Sequence, residues 1–548
     1  MSSAPGGSRL REATVRARVI LSPRLLTLSE TLRLVFRKRT AVVGVSLIVL
    51  LAVLGGLAPV LTPYSPRMRD VVAGDFAVPD WAAPPDVARN IIKTLTSFRV
   101  ESREVSGDVR VDFRPLPEGG FQLVITGTGT ASVLVVSEEY VEYPYRPARS
   151  LDVRIAFNTS YLEGMGQAWY NVDTLMINKD LVERGEKLVL EVPGPGETPI
   201  RYEIPKGFYS LYDLVTTRVG WAFDYYRGAA MVSAPAVLPN SVRNFQQPYI
   251  RSIKDQAIRE RVAEEFGKVN AARELLLEKG TRLYIAVNVT YYCNPADFMM
   301  SCRDGSLVVR YSPVRVFIKG DAFGVLGTTA YGNCVWTQWL YGARTAIALG
   351  LGVAAVTTLV ALIVGLAAGY RAGSTTDMAL TFLTDVMYFI PLIPMVMVVG
   401  LVFGRTLLNI YAVIIALSWQ GGARIIRQWT ITLRSSLYVE AAKALGASEW
   451  RIMMKHIAPQ LVPYLVYRIV MTVPGMVFLE AGIQLLGFGD PEAPTWGRMI
   501  NEMFYQGAFL MNAWWWIIPP IAGLILLAAG FILFGMALDE IVNPRLRR

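Results

Sequence analysis

The chain of 548 residues is 53% hydrophobic and only 18% charged, against about 25% charged in an ordinary soluble domain, and its mean hydropathy is +0.37. This excess of apolar residues excludes a string of soluble domains, and the 11% aromatic content excludes a disordered chain. The net charge of +10 does not signal nucleic acid, because much of it gathers beside an apolar stretch, as at the cytoplasmic flank of a membrane span.

In chain order, residues 1–40 form a basic segment with Arg9, Arg11, Arg16, Arg18, Arg24, Arg33, Arg37, Lys38 and Arg39 against Glu12 and Glu30 only. A first span follows at 41–62, since Ala41–Leu61 is uncharged and a span needs about 20 apolar residues. The basic region is too long and the apolar core too extended for a signal peptide. Residues 63–343 are polar. Apolar runs then recur at Thr345–Gly369, Leu380–Phe403, Leu407–Trp419, Leu461–Gly487 and Trp514–Leu538, giving six expected spans, five of them in a core over 344–538, before a tail at 539–548. Placing the N-terminus inside also puts Arg371, the Arg424–Lys455 stretch, Arg545, Arg547 and Arg548 inside. The expected protein is therefore a polytopic α-helical protein of the cell membrane. Both termini are cytoplasmic and the long polar region is outside.

Within that region, about 86–322 reads as a β-rich (α+β) domain. Alternating runs occur at Val109–Phe113, Gln122–Ile125, Val133–Val136, Val153–Phe157, Lys187–Val192, Arg282–Tyr291 and Leu307–Ile318. Turn signals separate them at Pro117–Gly120, Pro193–Gly196 and Asp304–Gly305. A helix is expected over Ile253–Glu278 and a second over Asp86–Ser97. The only histidine of the chain, His456, lies elsewhere, so the insert cannot hold a Ser–His–Asp triad. Cys293 and Cys302 lie nine apart in an oxidising exterior and are candidates for a disulfide. With Cys334 they are too few for a four-cysteine zinc site, and no metal is expected. Asn158 and Asn288 head glycosylation sequons.

The most informative segment is YVEAAKALGASEWRIMMKHIAPQL, Tyr438–Leu461. It reads as two short helices: Glu440, Ala441, Ala442 and Leu445 on the first, a turn at Gly446, and an amphipathic restart over Ala447–Ile457 that Pro459 stops. Glu440, Ala441, Ala442, Gly446 and Pro459, with thirteen residues from the glycine to the proline, resemble the EAA loop of ATP-binding-cassette importer permeases. Ala458 stands where that family usually has leucine. Glu480–Ile500, EAGIQLLGFGDPEAPTWGRMI, is similar to a motif of the dipeptide/oligopeptide permease C-type subunits. Pro59–Pro66 and Leu340–Arg344 (LYGAR) resemble segments of the same family, although Thr329 and Asn333 replace charged residues expected between the matching pieces. The resemblance covers about 30–85 and 323–548 and leaves the insert outside.

The resemblance implies a type I importer fold of six transmembrane helices, with loop 438–460 seated on an ATPase. It implies a second permease subunit in a heterodimer, two ATPase subunits carrying ATP and Mg, and an extracellular solute-binding protein. Membrane lipid is the other expected contact, and nucleic acid is not one. The sequence has no G-x-x-x-x-G-K-[ST], so the chain is expected to bind no nucleotide by a P-loop and to be no enzyme itself. Peptides are the expected cargo, with oligosaccharides or metal chelates as alternatives. A membrane receptor would need a cytoplasmic output domain, for which the chain has no room. Three charges fall at or within spans, Asp385, Arg468 and Glu480, and are candidates for the pathway or the bundle interior. Pro391, Pro394 and Pro474 are expected to kink their helices.

Overall fold

The computed structural model describes residues 36, 38–66, 71–146, 152–163, 168–192, 200–210, 230–237, 256–267, 278–295, 302 and 305–542. It divides into two compact units, Met1–Asp70 with Cys334–Arg548, and Val71–Asn333. Most of the basic segment 1–40 and the tail beyond 542 lie outside the described residues. The first span is α1, Arg39–Gly56, followed by the single turn α2, Ala58–Leu61.

The insert is wider than its sequence pattern suggests. Val72 N–H donates to the Gly332 carbonyl (2.8 Å), Phe76 N–H to Thr329 (2.9 Å) and Val78 N–H to Asp321 (2.8 Å). The flanks on both sides of 86–322 therefore belong to it, because its two ends are tied to each other. Where charged residues were expected, Thr329 Oγ1 instead accepts the N–H groups of Tyr331 and Asn333 and closes a turn.

Eleven strands form one antiparallel sheet: β1 Ile91–Leu95, β2 Phe98–Pro115, β3 Phe121–Ser137, β4 Val141–Tyr143, β5 Asp152–Glu163, β6 Trp169–Asn178, β9 Phe208–Ser210, β10 Ala230–Val237, β11 Thr281–Cys293, β12 Ser306–Tyr311 and β13 Val314–Ile318. β7 Lys187–Val192 and β8 Ile200–Pro205 pair separately. Strand β3 is the organiser. It pairs with β2 along its whole length, and also with β12 and then β11. Its inward residues Phe121, Leu123, Ile125, Val133 and Val135 are buried with Val287, Val289, Val309 and Tyr311 in one core. Two short helices accompany the sheet, α3 Lys179–Arg184 and α4 Gln256–Gly267. The expected helix Ile253–Glu278 is helical in this middle portion, and its remainder falls outside the described residues, except Glu278, which is not helical.

The expected helix Asp86–Ser97 is absent. Ile91–Leu95 is strand β1, each residue paired with one of β13, because β-branched Ile91, Ile92 and Thr94 suit a sheet edge. The expected strand Leu307–Ile318 is two strands, broken where Pro313 withholds a backbone donor.

The second span is α5, Val335–Tyr370, which starts before the expected Thr345. Next come α6 Thr375–Phe389 and α7 Leu392–Phe403, bent by 78°. Pro391 forces Ile390 to an extended ψ of 119° and so breaks the helix. Helix α8, Leu407–Ser418, has 12 residues and is about 18 Å long, too short to cross alone. After Trp419, itself right-handed helical, α9 continues as Gln420–Arg434. Among the described residues, four helices are long and apolar enough to span, or five counting the bent pair; the sixth expected span does not stand on its own.

Then come α10 Leu437–Ala444, α11 Glu449–Ile452, a π-turn at Met453–Ile457, α12 Ala458–Leu485, α13 Trp496–Tyr505 and α14 Trp514–Val542. Glycines let these helices touch, as in membrane bundles. A Cβ on Gly44 of α1 would lie 2.6 Å from the Gly530 carbonyl of α14, and one on Gly365 of α5 would lie 2.7 Å from the Ala423 carbonyl of α9.

Candidate functional site

The hairpin α10–α11 has a well-defined hinge. Gly446 N–H donates to the Lys443 carbonyl (2.9 Å), and Ala447 N–H to Ala442 (3.0 Å). Together these form a Schellman cap, with Gly446 at the left-handed position, φ 77°. Nothing lies within 4 Å of a Cβ at Gly446, so the glycine is required by backbone conformation, not by space. Ser448 then caps α11 by accepting the Arg451 N–H.

Pro459 does not stop this helix. Residues Glu449–Leu485 run as one helical stretch. The proline has no N–H and its ring would crowd the carbonyl four residues back. The preceding turn widens into the π-turn, where Ala458 N–H reaches back to Met453.

The hairpin has two faces. Val439, Ala442, Ile452 and Ile457 are buried against Leu366, Tyr370, Trp419 and Ile426. Glu440, Ala441 and Gly446 are exposed. So are Leu437, Tyr438, Leu445, Trp450 and Met454, with Leu445 at 89% and Trp450 at 69%. Large apolar side chains left bare on a short hairpin mark an interaction surface. Arg371, just past α5, reaches Glu449 Oε2 with Nε (3.2 Å) and Nη2 (2.9 Å). Lys443 and Arg434 lie over the Tyr370 ring.

The motif Glu480–Ile500 is a second constellation. Glu480 is buried beside Thr495 and Gln484, and Thr495 caps α13 by accepting the Arg498 N–H. Glu480 therefore lies where α12 meets the start of α13 inside the bundle. Trp496 donates to the Trp339 carbonyl, and a Cβ on Gly342 or Gly523 would lie 2.5 or 2.7 Å from its ring. Arg498 pairs with Glu502 at 2.9 Å, both buried, and donates to the Pro66 carbonyl. Two segments far apart in sequence are joined by that last bond.

Asp385 accepts from Arg424 at 2.7 Å, and Asp377 takes a two-pronged contact from Arg427, 2.7 Å on each oxygen. These two rungs fasten α6 to α9, which makes Asp385 a strut; sequence reasoning missed both arginine partners. Arg468 forms no ion pair among the described residues.

In the insert, Cys293 and Cys302 are joined by a disulfide, with Cα atoms 5.1 Å apart. Cys334 is free and buried. Asn288 sits half-buried in the middle of β11, between β3 and β6, and its Oδ1 accepts from Ser132. Asn158 lies in β5 opposite Met231.

A family profile, the binding-protein-dependent transport system inner membrane component, matches residues 361–548. The dipeptide transport system permease protein DppC of Bacillus subtilis is 30% identical over 243 residues, 44% of this chain and 75% of that protein. The chain belongs to this permease family. The oligopeptide permease OppC of the same organism is 30% identical over 40% of this chain and 72% of its own length. The glutathione permease GsiD of Pectobacterium atrosepticum is 28% identical over 40% and 73%. The matched profile contains the whole α10–α11 hairpin and the Glu480–Ile500 motif of the permease.

Proposed function

We propose that this permease is one membrane subunit of an importer that brings peptides into the cell. It pairs with a second permease and is driven by two ATPase subunits that carry ATP and Mg, while an external solute-binding protein delivers cargo. The named substrates of its relatives, dipeptides, oligopeptides and glutathione, support the cargo class. In this reading α8 and α9 together make the sixth span, both termini are cytoplasmic and the insert is external.

The observation that carries the reading is the hairpin with its bare apolar face. Leu437, Leu445 and Trp450 offer an ATPase groove a hydrophobic anchor, and Glu440 and Ala441 sit on the accessible side. Closure of the ATPases pushes α10 and α11, and the run from Glu449 to Leu485 carries the push into the membrane as a rigid-body movement. The test is Gly446→Val in the assembled complex. The left-handed backbone costs a β-branched residue about 1–2 kcal/mol, enough to reshape the hinge and leave the bundle intact. ATP hydrolysis is expected to continue while peptide uptake falls. Wild-type uptake in this variant would refute the assignment.

A further inference from the structure

Of the three charges that the sequence places in spans, Asp385 is paired with Arg424, and Glu480 is buried with Thr495 and Gln484 beside its carboxyl. Arg468 is different. It lies ten residues into α12, roughly 15 Å along the helix, and no carboxylate pairs with it among the described residues. Its Nε is buried and has no hydrogen-bond partner.

The side chain is nonetheless held firmly. Its guanidinium fills a notch made by Gly422 of α9, where any Cβ would overlap it. It lies beside the hydroxyl of Tyr464, one turn back on α12. The Tyr464 ring is in turn stacked on Trp429 of α9, 5.5 Å between centroids. A fixed cation without an ionic partner among the described residues, away from either helix end, is preorganised for an anion.

The same face of α12 carries two exposed glycines. Gly475 and Gly482 follow Arg468 at seven-residue intervals, a spacing that returns to nearly the same side of a helix. Both are exposed, and a Cβ on either would meet nothing within 4 Å; the same holds for Gly421 beside the notch. Exposed glycines spaced along about 20 Å of α12 thus lead to the guanidinium.

We propose that Arg468 is the anion-binding residue of the translocation path and receives the free C-terminal carboxylate of a transported peptide. This rests on the peptide-importer reading above. A carboxylate that leaves water needs a charge-assisted partner, and a guanidinium offers it two parallel donors. The exposed glycines give an extended peptide room to lie along α12 with its terminus at Arg468.

The test uses the complete importer with its binding protein in lipid vesicles, and one labelled tripeptide as free acid and as C-terminal amide. Wild type, Arg468→Gln and Arg468→Lys are compared. Because the binding protein is common to all three, the change in the acid-to-amide uptake ratio isolates Arg468. Arg468→Gln is expected to lower free-acid uptake by about tenfold or more, the scale of a lost charge-assisted contact, and to leave amide uptake within about twofold. Arg468→Lys is expected to fall between. An equal loss of both peptides, or no loss of the acid, overturns the proposal. So does failure of Arg468→Gln to co-purify with the second permease, which would make Arg468 an interface residue. If the wild type imports neither peptide, the cargo reading itself falls, and this assignment with it.

Discussion

Arg371 grips Glu449 through two guanidinium nitrogens on one carboxylate oxygen, at 3.2 and 2.9 Å. The pair joins the end of α5 to the first turn of the second hairpin helix. Both side chains are about half exposed, so the link contributes less than about 1 kcal/mol to stability. Its effect should appear in coupling instead. Arg371→Glu and Glu449→Arg are each expected to lower peptide uptake per ATP hydrolysed without lowering the melting temperature, and the double charge swap is expected to restore it. A double variant no better than the singles would show that the contact is incidental.

Trp496 is a fully buried large side chain of the helical unit, held between Gly342 and Gly523. Trp496→Ala is expected to cost about 3–5 kcal/mol, the usual penalty for emptying such a site. Thermal unfolding of the purified permease would register it, and a shift within error would mean the surrounding helices collapse into the space.

The hairpin was legible in the sequence because its signals are local: a small-residue run, one glycine and a proline. What escaped was decided by partners. Asp385 looked like a lone intramembrane acid until α9 brought Arg424 beside it. Ile91–Leu95 carries no signal that outweighs the prolines before it, and it becomes a strand only because β13, more than two hundred residues later, supplies an edge. Pro459 looked like a stop because the rule for proline in an α-helix says so; a π-turn is the one arrangement the local pattern does not announce.

The disulfide Cys293–Cys302 ends β11. Replacing both by serine is expected to destabilise the insert by about 2–3 kcal/mol in the chain-entropy estimate. Peptide mapping without reductant should recover the two as one linked species, and recovery as free thiols would contradict the bond.

Lys319 is buried in the insert, and burial pushes its ammonium down to about 8, with the nearby Asp75 partly opposing the shift. Between that value and the ordinary 10.5 the unfolded chain binds more protons than the folded one, so stability rises with pH across this window. The thermal stability of wild type relative to Lys319→Met is therefore expected to increase from pH 8 to pH 10.5. A flat difference would show that Lys319 keeps its proton equally in both states.

The insert closes on itself, with Val72 bonded to Gly332. Replacing residues 73–331 by a short Gly/Ser linker is expected to leave the two flanking spans and assembly with the second permease intact, as judged by co-purification. If the insert helps dock the binding protein, uptake should fall most at low binding-protein concentration; unchanged uptake at every concentration would exclude that role.

The strand order has a consequence for biogenesis. β1 pairs with β13, and β3, already paired with its neighbour β2, also takes β11 and β12, so completing the sheet needs contacts between residues made early and residues made late. Such a sheet forms slowly, because long loops must close before any pairing is rewarded. Strand β1 and the second edge of β3 must stay unpaired until the rest of the segment is synthesised. The cell therefore has to keep a long, half-apolar stretch from aggregating until residue 318 has been made, just ahead of the second span.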